Sequence, residues 1–109
     1  MLIKVSTTSP TAAVAGAIAG TIRDHGTAQI QVIGAGALNQ AIKAVAIARS
    51  FLVEDELDLA VVPAFVMVEM EGKDCTALRL YVESRSKWTA PDVPLRDERP
   101  MDLAAEVNP

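Results

Sequence analysis

The chain opens on alternation. Ile3 and Val5 are apolar while Lys4 and Ser6 are polar, the pattern of a half-buried strand. From Ser9-Pro10 the period lengthens to that of a helix. A hydroxyl at Ser9 before Pro10 predicts an N-cap and a first helical residue, and Gly26 after His25 supplies a left-handed stop. Val14, Ile18 and Ile22 mark the core stripe of this helix. Ala12, Gly16 and Gly20 form a second stripe of small residues. Each helical glycine costs about 1 kcal/mol against alanine, so close packing of another backbone is expected there. Ala28 to Ile33 alternates again, with Ile30 and Val32 inward and Gln29 and Gln31 outward. Gly34-Ala35-Gly36 then turns the chain into a second helix reaching about Phe51. Leu38, Ile42 and Val45 are its expected core face, and Asn39, Lys43 and Ser50 its polar side.

Glu54-Asp55-Glu56 reads as a solvated acidic loop. Leu57 to Met70 is a long Val-rich strand, and Glu71-Gly72-Lys73-Asp74 a hairpin turn. Thr76 to Glu83 returns as a fourth strand with Leu78, Leu80 and Val82 on one face. The order βαβαββ predicts one α/β domain over residues 1–84. From Ser84 onward the period is lost. Residues 85–109 read as a Pro-rich, charged tail, with a short helical turn near Asp102 to Glu106 and Trp88 expected to dock back on the domain.

The third strand is apolar on both faces: Leu57, Leu59 and Val61 on one, Ala60, Val62 and Ala64 on the other. Two helices cover only one face, and Pro63 lacks the N–H that a central strand needs, so the strand is expected at an edge or with a bulge. An exposed apolar edge invites pairing. A homodimer or higher oligomer is therefore expected, with Leu57, Leu59, Val62, Pro63 and Ala64 in its interface. The alternative is that the tail covers this surface.

Composition narrows the picture. Half of the 109 residues are hydrophobic, which excludes wholesale disorder, and aromatics are scarce, so the core must be aliphatic. The net charge of −4 and pI near 4.8 mean that any nucleic-acid footprint is local. The opening apolar run is too short for a signal peptide, and Lys43 and Arg49 interrupt the longest apolar stretch. One cysteine, Cys75, makes no internal disulfide. A cytoplasmic protein without membrane contact is expected.

The run "KVSTTSPTAAVAGAIAGTIRDHGTAQIQVIGAGALNQAIKAVAIARSFL", with "LDLAVVPAF" and "EGKDCTALRLYVE" after it, resembles the stage V sporulation protein S family over roughly residues 2 to 84. That family looks like the Alba superfamily. The resemblance implies a two-layer α+β fold, a mixed four-stranded sheet with two helices on one face, usually oligomeric. It also implies a regulator acting through DNA or RNA, and no enzyme. Alba proteins carry basic residues after the first strand and at the mouth of the second helix. The matching stretches here, Ser6-Thr7-Thr8-Ser9 and Gly34-Ala35-Gly36-Ala37, are neutral, and the hairpin is expected to be short beside that of Alba proteins, with Lys73 its only basic tip residue.

The glycines do not make a cofactor motif. A dinucleotide fingerprint needs a third glycine where Asn39 stands, and no Gly-Lys-Ser/Thr follows as in a P-loop. If the first two strands are parallel, however, both helices begin at one edge of the sheet. Two helix N-termini can hold a phosphate without basic side chains. The candidate phosphate or nucleic-acid contacts are Thr7, Thr8, Ser9, Gly34, Ala35, Gly36, Asn39, Lys43 and Lys73; the alternative is that the hydroxyls merely cap the first helix. The open sheet face offers Lys4, Gln29, Gln31, Arg79, Tyr81 and Glu83, but a single aromatic for stacking bases. His25 and Cys75 have no partner for nucleophilic chemistry, Glu69, Glu71 and Asp74 read as a solubilising hairpin end, and no spacing suits zinc. No catalytic residue, metal or cofactor is expected. Two further readings stay open: a protein-interaction scaffold whose tail engages a partner, and a small-anion or nucleotide sensor.

Overall fold

The computed structural model describes residues 1–86. Strand β1 (Leu2–Val5) leads to helix α1 (Thr11–His25), strand β2 (Thr27–Val32) to helix α2 (Ala35–Phe51). A 3-10 turn (Val53–Asp55) precedes strands β3 (Leu57–Met70) and β4 (Lys73–Ser86). The sheet order is β1-β2-β4-β3. β1 and β2 are parallel and the other neighbours antiparallel, giving the mixed sheet and βαβαββ order that the hydropathy pattern and the family resemblance imply. Pro63 is tolerated because β3 is an edge strand.

Val14, Ile18 and Ile22 of α1 meet Ile30, Val32, Leu80 and Val82 of the sheet in one buried cluster. Gly26 ends α1 at φ 78°, its N–H donating to the Ile22 carbonyl at 2.7 Å. Three local expectations are corrected. The buried stripe of α2 is Ala37, Ala41, Ala44, Val45 and Ala48, so Val45 is in the core as expected but Leu38 and Ile42 are not its main members. α2 packs against α1 as well as the sheet, so small residues occupy its inward face. Leu38 falls at the border, and Ile42 is left 47% exposed. The Gly16 and Gly20 stripe is not packed against another backbone, since a Cβ added at either glycine would meet nothing within 4 Å. Finally, Ser9 does not cap α1. Pro10 occupies that position at φ −66° and ψ 121°, and the Ser9 hydroxyl turns back to accept the Ser6 N–H at 2.9 Å.

The hairpin is long rather than short. β3 and β4 pair from Leu57↔Ser86 to Met70↔Lys73, closed by Glu71 (φ 52°) and Gly72 (φ 78°), both positive as in a type I′ turn. β2 accompanies β4 only as far as Leu78. Beyond it the hairpin stands alone as an arm reaching about 17 Å past the end of β2. The charged pair Glu69 and Asp74 extends the ladder where apolar alternation has stopped. β4 also runs on through Arg85 and Ser86, beyond the expected end of that strand. The expectations for Trp88 and for Asp102 to Glu106 lie outside the described residues.

Candidate functional site

Parallel pairing of β1 with β2 fixes the geometry of one sheet edge. Both strands end there, so the loop into α1 and the turn into α2 lie side by side. The first loop is held by its own hydroxyls. Thr8 N–H donates to Ser6 Oγ at 3.3 Å, and Ser6 Oγ lies 3.1 Å from Thr8 Oγ1 and 3.2 Å from Ser9 Oγ. Gln40 Nε2, from α2, donates to the Ser9 carbonyl at 3.1 Å and ties the two loops together.

The glycines of the second turn have distinct duties. Gly34 stands at φ 89° and ψ 159°, a conformation that residues with a side chain rarely adopt. At Gly36 a Cβ would fall 2.5 Å from Thr7 Cγ2, so glycine there makes room for the neighbouring loop. Thr7 and Gly36 are thus a contact pair, and both glycines have a structural reason independent of any ligand.

The helix starts themselves remain open. Neither α1 nor α2 has a side-chain cap, and neither has an acidic residue in its first turn. The first helical bonds are donated by Val14 and Leu38, leaving the N–H groups of Thr11, Ala12, Ala13, Ala35, Gly36 and Ala37 without a backbone acceptor. No acidic residue occurs in residues 1–23 or 25–53. This edge therefore combines two positive dipole ends with an absence of negative charge nearby in sequence.

Of the sequence-predicted contacts, Thr7, Thr8, Ser9, Gly34, Ala35 and Gly36 are brought together at this edge. Asn39 and Lys43 are exposed one turn apart on α2, with Lys43 about 10 Å along the helix from Gly36. Lys73 is not brought there. It sits at the far tip of the arm among Glu69, Glu71 and Asp74, where carboxylates outnumber it. The absence of acidic residues is visible in the sequence, but its meaning depends on the fold, which sets the two helix starts side by side.

The expected interface residues divide. Leu59 is 7% exposed inside the chain's own core and Leu57 packs on that core, so Leu59 is withdrawn from the interface and Leu57 mostly so. Val62 and Pro63 are exposed and Ala64 is half-buried. The sequence reading missed Phe65, 79% exposed, and Ile42. With Leu38, Val61, Pro63 and Leu78 they line an apolar groove of about 540 Å³ between α2 and the arm.

On the open face Arg79 Nη2 donates to Gln31 Oε1 at 2.6 Å, and Tyr81 is the one aromatic there among the described residues. Cys75 is a free thiol, and among the described residues no group of His, Cys, Asp and Glu is placed to hold a metal. No helix there is long and apolar enough to cross a membrane.

A family model described as stage V sporulation protein S (SpoVS) matches residues 1–85. Among solved structures, Alba from Thermoplasma volcanium is similar in fold, with a TM-score of 0.53 at 14% identity, covering 77% of this chain and 98% of that one.

Replacement of Gly34 by alanine is expected to destabilise the fold by about 1–3 kcal/mol through backbone strain alone. Gly36→Ala is expected to act through Thr7, and to be more favourable by about 1 kcal/mol in a Thr7→Ala background than in the parent. Urea unfolding of the four proteins of this cycle measures that coupling, and a coupling of zero would remove the Thr7–Gly36 contact.

Proposed function

Because the chain belongs to the stage V sporulation protein S family and carries the Alba fold, we propose that it is an oligomeric regulatory protein that contacts nucleic-acid phosphates weakly and without reading bases. The observation that carries this reading is the edge where two uncapped helix N-termini meet with no acidic residue near in sequence. Backbone N–H groups there suit phosphate oxygens. Thr7, Thr8 and Ser9 add hydroxyls, Asn39 an amide and Lys43 a cation. Lys73 contributes little, because the arm tip is net acidic. The family is not known as one of enzymes, and no catalytic role is assigned.

Few cations per chain imply a shallow salt response. One or two neutralised phosphates correspond to a log–log slope of about −1 to −2 per protomer. A second reading, an interaction module that binds no nucleic acid, is favoured by the acidic arm tip and the net charge of −4. The apolar groove supports self-association: Phe65 and Ile42 expose large apolar surface beside Val61 and Pro63 on an edge strand.

Two outcomes are expected. Fluorescence anisotropy with labelled duplex DNA and single-stranded RNA should show saturable binding at low salt that weakens as salt rises. Ala35→Glu places a carboxylate at an exposed helix start, where it favours the fold but repels phosphate. Binding should fall several-fold in that variant and in Lys43→Ala; no binding of either polymer at low salt would leave the interaction module. In light scattering after size exclusion, the parent should run as a dimer or tetramer and Phe65→Asp as a folded monomer. An unchanged mass for Phe65→Asp, or a monomeric parent, would refute self-association through this groove.

A further inference from the structure

A second groove, of about 580 Å³, lies next along the same seam, between the last turns of α2 and the start of β3. Its apolar walls are Ala46, Val53 and Leu57. Its polar wall is an ion pair: Arg49 donates to Asp58 through Nε at 2.6 Å and Nη2 at 3.0 Å. The Arg49 hydrogen bonds hold the Asp58 carboxyl below its ordinary range, although burial opposes this. That fork fixes the guanidinium by its edge and leaves its flat face free for an aromatic ring.

We propose that this groove is the seat of the chain's own tail, with Trp88 inserted between Arg49, Val53 and Leu57. Two observations converge on that occupant. Ser86, the last described residue of β4, pairs with Leu57, which is itself a wall of the groove. Trp88 is two residues further on, a span of at most about 7 Å. The other groove lies farther off and behind the end of β4, since Val61, its nearest wall on β3, is about 13 Å up that strand from Leu57. Strand alternation also assigns the side. Leu80 and Val82 face the helices, so Ser84 and Ser86 share their face, the one on which the groove opens. A groove of this size falls within the ~300–1,000 Å³ typical of pockets that enclose a small ligand.

Trp88 is the sole tryptophan, so its emission reads the proposal directly in the full chain. Selective excitation of the indole should give emission shifted to the blue of the urea-unfolded protein and poorly quenched by acrylamide, independent of protein concentration. Ala46→Glu fills the groove from an exposed helical position and should restore solvent-like emission and quenching with the helical circular dichroism unchanged. Ile42→Asp, in the other groove, should leave the emission as it is. Solvent-like emission in the parent would overturn the proposal. So would protected emission that ignores Ala46→Glu, responds to Ile42→Asp, or develops only as concentration rises; the last would identify a second chain as the cover.

Discussion

The parallel pairing of β1 and β2 is the constraint on which the rest depends. A parallel neighbour forces a crossover, so β1 must be followed by a helix that returns the chain to the other end of the sheet. β2 ends at the same edge and passes into α2 there. Both helices therefore start side by side, and the loops that launch them must share a narrow space. Thr7 and Gly36 show how close they come: a methyl group at residue 36 would meet the Thr7 methyl, which would have to turn aside. The small inward face of α2 follows from the same crowding, since two helices covering four strands also press on each other.

That arrangement also concentrates unsatisfied backbone donors. Helix starts are usually blunted by a side-chain oxygen or an acidic first turn. Here the hydroxyls of Ser6, Thr8 and Ser9 bond largely to one another and to the loop backbone, while the first-turn donors of both helices are left without a side-chain cap. Backbone dipoles therefore place positive potential at this edge without a basic side chain in either first turn. Such a site favours an anion without holding it tightly, which fits a weak, adaptable contact better than a permanent one. Most acidic residues of the described chain are kept elsewhere, at the arm tip and around Glu54 to Asp58.

Element order, the edge position of β3 and the Gly26 stop were legible because each rests on periodicity or a single conformational demand. The face of α2 was not, because alanine carries little hydrophobic weight and Leu38 and Ile42 outweigh it in any pattern. The full length of β3 was legible, but the arm's second strand was started too late, at Thr76, because Lys73 and Asp74 read as turn residues although the ladder of backbone bonds runs through them. Ser9 read as a cap because the residue types were right; its hydroxyl instead closes the loop onto Ser6. At the candidate site, the glycine turn was visible in sequence. The contact that explains Gly36 was not, since Thr7 and Gly36 meet only once both strands are laid in register.

The central claim is that the backbone donors of the two helix starts are the phosphate contacts. Amide chemical-shift mapping during titration with a short DNA or RNA oligonucleotide at low salt tests it most directly. The account predicts that the largest shifts fall on Thr11 to Ala13 and Ala35 to Ala37, with smaller ones at Thr7, Thr8 and Lys43. Shifts centred on the arm tip or on the open sheet face around Arg79 and Tyr81, with those amides unmoved, would contradict it.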